Sequence, residues 1–252
     1  MKISVITPCF NSSSTIADTI SSIDAQNYKD IEHVIVDGMS QDSTMELIAR
    51  CPQPWRHVVS DNDDGIYDAM NKGFSLSTGD VVGFLNSDDF YATNSVISEI
   101  AKAFEDPDVM ACYADLVYVD QKTALKTIRN WRSSTHRTGQ FAKSWVPPHP
   151  TFYVRRSLFL NIGGFDTRFS LAADYLFMLR ALEIECVKSI YIPQVWVKMR
   201  IGGASNKSIR NIVRQNFEIY DGSRLLGIRF NPFRFAIYKI WNRLNQFLPR
   251  AS

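Results

Sequence analysis

Four short strand-like runs open the chain, Ile3 to Thr7, Ile31 to Val36, His57 to Ser60 and Val81 to Leu85, and each stops at a polar or acidic group. Between them lie segments of helical spacing: Ile16, Ile20 and Ile23 within Ser14 to Ala25, and Ile66, Ala69, Met70 and Phe74 within Ile66 to Leu76. Ser43-Thr44-Met45-Glu46 has the Ser-x-x-Glu form of a capping box, which predicts a short helix after the second run. Strands that alternate with helices over short loops specify an α/β fold, with a Rossmann-like, mostly parallel sheet and helices on both faces. In such an open sheet ligands bind in the crevice beyond the carboxyl ends of the strands. Thr7 with Asn11, Asp37, Asp61 to Asp64, and Asp88 with Asp89 are therefore expected to line one crevice.

The segment Gly79 to Tyr91 carries the densest charge of these strand ends. Its buried run, Val81 to Leu85, is followed by Asn86-Ser87 and then by two adjacent carboxylates, Asp88 and Asp89. Neighbouring anions repel, and a divalent cation shared with a more negative group such as a diphosphate would relieve them. The same pair could instead end the strand in a solvated turn. A glycine-rich phosphate cradle is not the alternative. Pro8-Cys9-Phe10-Asn11 stands where Gly-x-Gly-x-x-Gly would follow the first strand, and no Gly-Lys-Ser/Thr occurs, so a nicotinamide-dependent Rossmann enzyme is not expected.

The second half changes character. Val96 to Phe104 has helical spacing, while Met110 to Tyr113, Leu116 to Asp120 and Ala124 to Trp131 read as strands. Ser133 to Trp145 has no period and is expected to be a mobile loop. Val146-Pro147-Pro148-His149-Pro150 fixes an extended approach to Thr151 to Val154, because each proline biases its predecessor away from helix. His149 there is either a packed turn residue or a ligand-binding one. Leu171 to Arg180 is an apolar helix with Asp174 near its start. That carboxylate either favours the helix dipole or, partly buried among Ala172, Ala173 and Tyr175, serves as a general base.

Composition narrows the class. The chain has 252 residues, 45% of them hydrophobic, enough for one large ordered domain or two small ones. Cys9, Cys51, Cys112 and Cys186 show no C-x-x-C spacing, which argues against a structural zinc or a disulfide framework and fits a reducing compartment. No run of 18 apolar residues occurs, and Met1 leads straight into a strand without the apolar core of a signal peptide. The net charge of +2 conceals nine basic against two acidic residues from Asn206 onward, so the body is acidic and the tail basic. Nothing points to nucleic acid.

Five motifs in order carry a resemblance: Val5-Ile6-Thr7-Pro8-Cys9-Phe10-Asn11; Val34 to Thr44 with Asp37-Gly38, Ser40 and Asp42; Asp64-Gly65-Ile66-Tyr67-Asp68-Ala69-Met70-Asn71-Lys72-Gly73; Gly79-Asp80 through Asn86-Ser87-Asp88-Asp89; and Gly163-Gly164-Phe165-Asp166 through Ala173-Asp174-Tyr175. Together, over about Lys2 to Ser205, they resemble the family 2 glycosyltransferases of GT-A fold, of the kind found in bacterial polysaccharide biosynthesis. The resemblance implies that Thr7, Pro8 and Asn11 border the nucleotide, that Asp37 hydrogen-bonds the base and that Asp64 helps close the nucleoside site. It implies Asp88 toward the ribose or metal, Asp89 as direct ligand of Mg or Mn, and Asp174 as the base that deprotonates the acceptor hydroxyl in an inverting displacement. Met70 stands where many relatives have Arg, so the diphosphate contact would pass to Lys72 or be absent. His149 and Tyr175 are further candidates for acceptor or diphosphate contact. The implied partners are a nucleotide diphosphate sugar, a UDP-sugar first among them, and a saccharide or lipid-linked acceptor.

The expected organisation is a catalytic domain over 1–205, with a donor half (1–92) and an acceptor half (93–205), followed by a basic helical tail over 206–252. Ser208 to Tyr220 reads as a helix, and Leu225 to Leu248 mixes aromatic, aliphatic and basic residues, with Asn231-Pro232 expected to interrupt a compact helix. That composition suits an interfacial helix on an anionic inner leaflet, with the enzyme cytoplasmic and peripheral on the bacterial membrane; an amphipathic helix on the enzyme's own core is the alternative. Rival readings are a sugar nucleotidyltransferase, which needs a glycine-rich basic loop that Pro8 to Ser14 lacks, and a non-catalytic binding protein, which would not need Asp89 and Asp174 together.

Overall fold

The computed structural model describes residues 1–202 and 208–247. The expected junction at 205 and 206 and the Leu248 end of the tail lie outside the described residues. In chain order the first half holds β1 (Ile3–Cys9), α1 (Ile16–Asp24), β2 (Ile31–Asp37), α2 (Thr44–Ala49), β3 (Arg56–Ser60), α3 (Ile66–Leu76), β4 (Val81–Phe84), β5 (Phe90–Tyr91) and α4 (Val96–Ala103). There follow β6 (Ala111–Val119), β7 (Thr127–Trp131), β8 (Tyr153–Arg155), α5 (Arg156–Ile162), α6 (Ala173–Leu179), β9 (Ser189–Arg200), α7 (Ile209–Leu225) and α8 (Pro232–Asn245).

One nine-stranded sheet runs in the order β3-β2-β1-β4-β8-β6-β9-β5, with β7 beside β6. β1, β2 and β6 are buried along their whole length, which is why their sequences are nearly continuous apolar runs. β1 to β4 are mutually parallel, with Ile3 opposite Ile31 and Val81, and Cys9 opposite Asp37. All four carboxyl ends therefore open on one edge. β2 and β4 flank β1 on opposite sides, so the strand order reverses there and a crevice forms where the connecting loops diverge. Beyond β4 the sheet is mixed: β8 runs antiparallel to β4 and β6, while β9 runs parallel to β6.

Successive residues of β1 serve opposite faces. Ile3 and Val5 join Val81, Ile97 and Trp196 in one core, and Ile6 joins Val36, Phe84 and Phe159 in the other. Gly73 lets α3 lie close to the sheet, since a Cβ there would run into the Ile6 side chain.

Several local expectations are corrected. Ser43 makes no side-chain cap; Asp42 instead accepts from the Thr44 amide at 3.0 Å, so the capping box is replaced by an Asx-type turn. The two strands expected at 110–113 and 116–120 are one, β6, with a register shift against β9 beside Asp115. The segment 133–145 is tied down: Glu183 accepts from the Gly139 amide at 2.9 Å and the Phe141 amide at 3.3 Å, and Phe141 is buried. Asn231-Pro232 starts a helix. Asn231 Oδ1 accepts from the amides of Phe233 and Arg234 at 3.0 and 3.1 Å, and Pro232 takes the first helical position, where its missing N–H costs nothing.

The tail helices join the body. Ile219 of α7 and Phe235 of α8 are buried in the core that contains Leu176 and Tyr175, and the absence of a side chain at Gly222 admits Leu176. Among the described residues no helix is long and apolar enough to cross a membrane.

Candidate active site

The crevice edge is assembled from loops that bind one another. Asn11, in left-handed backbone at φ 48°, donates its amide to Ser40 Oγ and accepts from the Gln41 amide, both at 2.8 Å. Ser12 Oγ and Ser87 Oγ are 2.8 Å apart, joining the loop after β1 to the one after β4. Gly38 lets the acidic loop after β3 close in, because a Cβ there would come within 2.5 Å of Asp63 Oδ2. Phe10, 61% exposed, stands at the same edge.

Asp37 is buried at the end of β2. Its carboxylate accepts from the Ser40 amide (3.0 Å), Ser40 Oγ, Ser60 Oγ (2.7 Å) and Cys9 Sγ (3.6 Å). These four contacts use the acceptor capacity of a carboxylate, so Asp37 fastens the ends of β1, β2 and β3 to each other. Burial, reinforced by the Asp37 charge, pushes the Cys9 thiol up and keeps it un-ionised. Thr7 is also fully buried, with Oγ1 3.0 Å from His33 Nε2, and Pro8 is buried in β1. Asn11 and Asp64 are the exposed members of the expected nucleotide set. Lys72 pairs with Asp68, one turn earlier in α3, at 3.1 Å, and that hydrogen bond raises its ammonium above the ordinary range; its Nζ also donates to the Asn62 carbonyl of the acidic loop.

Asp88 and Asp89 differ. Asp88 is half-buried, and its carbonyl accepts from Arg200 Nη1 at 2.8 Å. Asp89 is buried, its carbonyl accepting from Thr19 Oγ1 at 2.7 Å, and neither carboxylate oxygen makes a hydrogen bond of ordinary geometry. Burial and then the Asp88 charge drive the Asp89 carboxyl well above the usual range, opposed by Arg200. Among the described residues no cluster of three or more His, Cys, Asp or Glu could hold a metal. An orphaned carboxylate with a second beside it nonetheless fits a hard cation such as Mg, which takes one or two carboxylates and completes its shell with substrate phosphates and water.

Asp174 lies near the start of α6 with 26% of its side chain exposed. Oδ1 accepts from the Tyr67 hydroxyl at 2.7 Å, and Oδ2 is 4.0 Å from His149 Nδ1. His149 stacks on Phe84, the last residue of β4, with ring centres 6.0 Å apart. Since Asp88 follows Phe84 by four residues, the base candidate and the metal candidate flank one strand end. Burial pulls the His149 imidazole below its ordinary value despite the Asp174 charge, so it is neutral near pH 7. Tyr175 is buried with its hydroxyl on the Phe141 carbonyl, 3.2 Å away; its position on the inner side of α6 directs it into the core.

A cavity of about 130 Å³ contains Asp174 and His149 and is walled by Trp131, Gln215 and Lys239. A larger one, about 320 Å³, opens between α2 and β3 and holds none of the expected site residues. Sequence reasoning missed Tyr67, Arg200 and the two tail residues. Tyr67 was within reach, as a phenol on the inner face of an amphipathic helix needs a polar partner.

The family model described as Glycosyl transferase family 2 matches residues 4–174. A glycosyltransferase of Mycobacterium tuberculosis is 32% identical over 192 residues, 73% of this chain and 72% of the relative. A PGL/p-HBAD biosynthesis glycosyltransferase of Mycobacterium bovis is 30% identical over 207 residues, covering 81% and 78%. Among solved structures, TarS of S. aureus in complex with UDP superposes with TM-score 0.68 at 18% identity, covering 98% of this chain and 72% of that one. The mannosyltransferase PcManGT of Pyrobaculum calidifontis, in complex with GDP-Man and Mn2+, gives 0.69 at 19% identity, covering 97% and 70%. Both share the GT-A-type α/β architecture described above.

Proposed function

The chain belongs to glycosyl transferase family 2, and from that premise we propose that it moves one sugar from a nucleotide diphosphate donor to a hydroxyl of a saccharide or lipid-linked acceptor, with inversion, in a single displacement. That it is a glycosyltransferase follows from the family; the donor, metal and base are our reading. The observation that carries it is Asp174, partly exposed, oriented through Oδ1 by Tyr67 and set beside the end of β4. The UDP of TarS and the GDP-Man of PcManGT support a nucleotide sugar as donor, and a UDP-sugar is the first to test.

In this reading residues 1–92 hold the donor, 93–205 the acceptor, and 206–252 the membrane side. Asn11 and Asp64 border the nucleotide from exposed positions, Pro8 and Thr7 support the wall behind them, and Asp37 keeps it closed. Lys72 stands beside the acidic loop for the diphosphate. Asp88, the more accessible carboxylate, and Asp89 would hold the cation, Mg or Mn. When bound, that ion would neutralise the charge that develops on the departing nucleoside diphosphate. The acceptor oxygen attacks the anomeric carbon and its proton passes to Asp174 Oδ2, the oxygen that Tyr67 leaves open. The bond from anomeric carbon to phosphate oxygen breaks, and its electron pair leaves with the diphosphate. His149 Nδ1 lies 4.0 Å from this oxygen, where the ring can orient the acceptor hydroxyl by a hydrogen bond.

Asp174→Asn keeps the shape and the Tyr67 contact but cannot take a proton. It is expected to bind UDP-sugar with Mn as the parent does and to lose transfer; near-parental turnover would place the base elsewhere.

We extend the proposal to location. α8 carries its apolar residues outward and basic residues at the flanks, which supports docking on an anionic inner leaflet where lipid-linked acceptors reside.

A further inference from the structure

α8 turns toward the body the side that a helix ordinarily turns to water. Phe235, Lys239, Asn242 and Gln246 share one face. Phe235 is buried, Asn242 Nδ2 donates to the carbonyls of Lys143 and Ser144 at 3.1 and 3.2 Å, and the Gln246 carbonyl accepts from the Asn130 amide at 2.8 Å. Lys239 on this face walls the cavity that contains Asp174 and His149. Its Nζ donates to Asn216 Oδ1 at 2.7 Å and Gln215 Oε1 at 3.4 Å, and among the described residues it forms no ion pair within 4.0 Å. Those amides are neutral. Burial, then the neighbouring Arg243, pulls the Lys239 ammonium down to about 8, and Asp174 only partly restores it. A half-buried cation with neutral partners beside a second cation lacks an anion. Of the other titratable groups of the wall, His149 is neutral, burial keeps the Tyr175 phenol un-ionised, and the Asp174 carboxylate makes no ion pair with Lys239 within 4.0 Å, its Oδ1 being held by Tyr67.

We propose that Lys239, with Gln215 beside it, forms a subsite for a phosphoryl group of the acceptor, so that the substrate class is a phosphorylated saccharide whose reacting hydroxyl meets Asp174. The inference rests on the glycosyltransferase reading above and names the acceptor chemistry that the reading leaves open. A phosphate could reach Lys239 as part of the acceptor or as a bilayer headgroup. The cavity favours the first, since it lies on the inner face of α8 while the bilayer-facing residues lie on the outer one.

The test is a thermal-shift titration of the full chain with glucose 1-phosphate and with glucose, each with UDP and Mn saturating so that the donor site is filled. The sugar phosphate is expected to stabilise the parent and glucose to do so far less. Lys239→Met should weaken the sugar phosphate about tenfold or more, as loss of a charged hydrogen-bond partner does. Lys239→Arg, which keeps the charge and controls for folding, should retain it. Equal response of the parent to glucose and glucose 1-phosphate, or unchanged affinity in a folded Lys239→Met, overturns the proposal and leaves the enzyme class standing. Loss of sedimentation with phosphatidic acid vesicles in Lys239→Met, with no sugar phosphate binding in the parent, would assign the lysine to the bilayer and also overturn it. If UDP with Mn fails to stabilise the parent, the donor reading itself falls and this inference with it.

Discussion

Asp174 has one oxygen held by a phenol and the other 4.0 Å from a neutral imidazole, and this asymmetry selects the oxygen that can accept a proton. Tyr67→Phe removes the hydroxyl while keeping the buried ring on Phe165. The variant should fold, bind donor normally and lose about tenfold in kcat, since a hydrogen bond to a charged group is worth about 1.5 to 3 kcal/mol. A change confined to acceptor KM would show that Tyr67 shapes binding and does not position the base. For the metal, Asp89→Asn is expected to abolish the rise in Tm that Mn gives with UDP, and a full Mn-dependent shift in the variant would move the ligand role to Asp88 alone. The sequence disclosed the acids at the strand ends and Asp174, because carboxylates after apolar runs stand out. It did not disclose that Asp37 would spend its acceptors on Ser40, Ser60 and Cys9, nor that Tyr67 would reach a residue 107 positions away. Such pairings exist only after the sheet has closed.

At the scale of elements, β2 shows how a charge is carried inside the sheet. Glu32 is buried, and burial alone would raise its pKa. Ser4 Oγ at 2.5 Å, the Thr78 amide at 2.7 Å, Thr78 Oγ1 at 2.8 Å and Lys2 Nζ at 3.2 Å outweigh that and hold the carboxyl near 2, from an ordinary 4.5. These bonds fasten β2 to β1 and to the turn that enters β4. A depressed folded pKa stabilises above the unfolded value of about 4.5, and the contribution is lost as pH falls toward 2. Glu32→Gln should therefore lower stability by about 2 kcal/mol at pH 7, with the gap closing toward pH 3, as read by urea unfolding at both values. A gap independent of pH would trace the loss to packing. The parallel strands β1, β2 and β4 were legible because burial on both faces leaves mostly apolar runs, whereas β3, exposed after Arg56, was marked by Val58 and Val59 and the acidic run that follows. β9 was not legible, since the exposed Pro193 and Gln194 interrupt it and the four residues before them are only partly covered. α5 escaped notice for a related reason: it begins with Arg156 directly after β8, without a cap residue to announce it.

On the scale of the whole molecule, the proposed docking on an anionic leaflet rests on the outer face of α8. Phe233, Ile237, Ile240, Trp241 and Leu244 recur at helical spacing on the outer face of α8 and are all exposed. The composition of this segment was readable in advance; which face would point outward was not, because that depends on α8 placing Lys239, Asn242 and Gln246 against the body. Two large apolar side chains, Ile240 at 62% and Trp241 at 63% exposure, can be replaced without opening the core. Ile240→Ser with Trp241→Ser should keep the parental Tm within about 1 °C, since neither side chain is packed in the body. The same variant should bind anionic vesicles at least about tenfold more weakly, given roughly 1.5 to 3 kcal/mol for each such side chain taken out of water. Binding by the parent should also fall as salt rises, because the basic residues flanking the face act through a screened potential. Unchanged sedimentation of the variant with anionic vesicles would leave this face to a protein partner, and the glycosyltransferase reading would be untouched by that result.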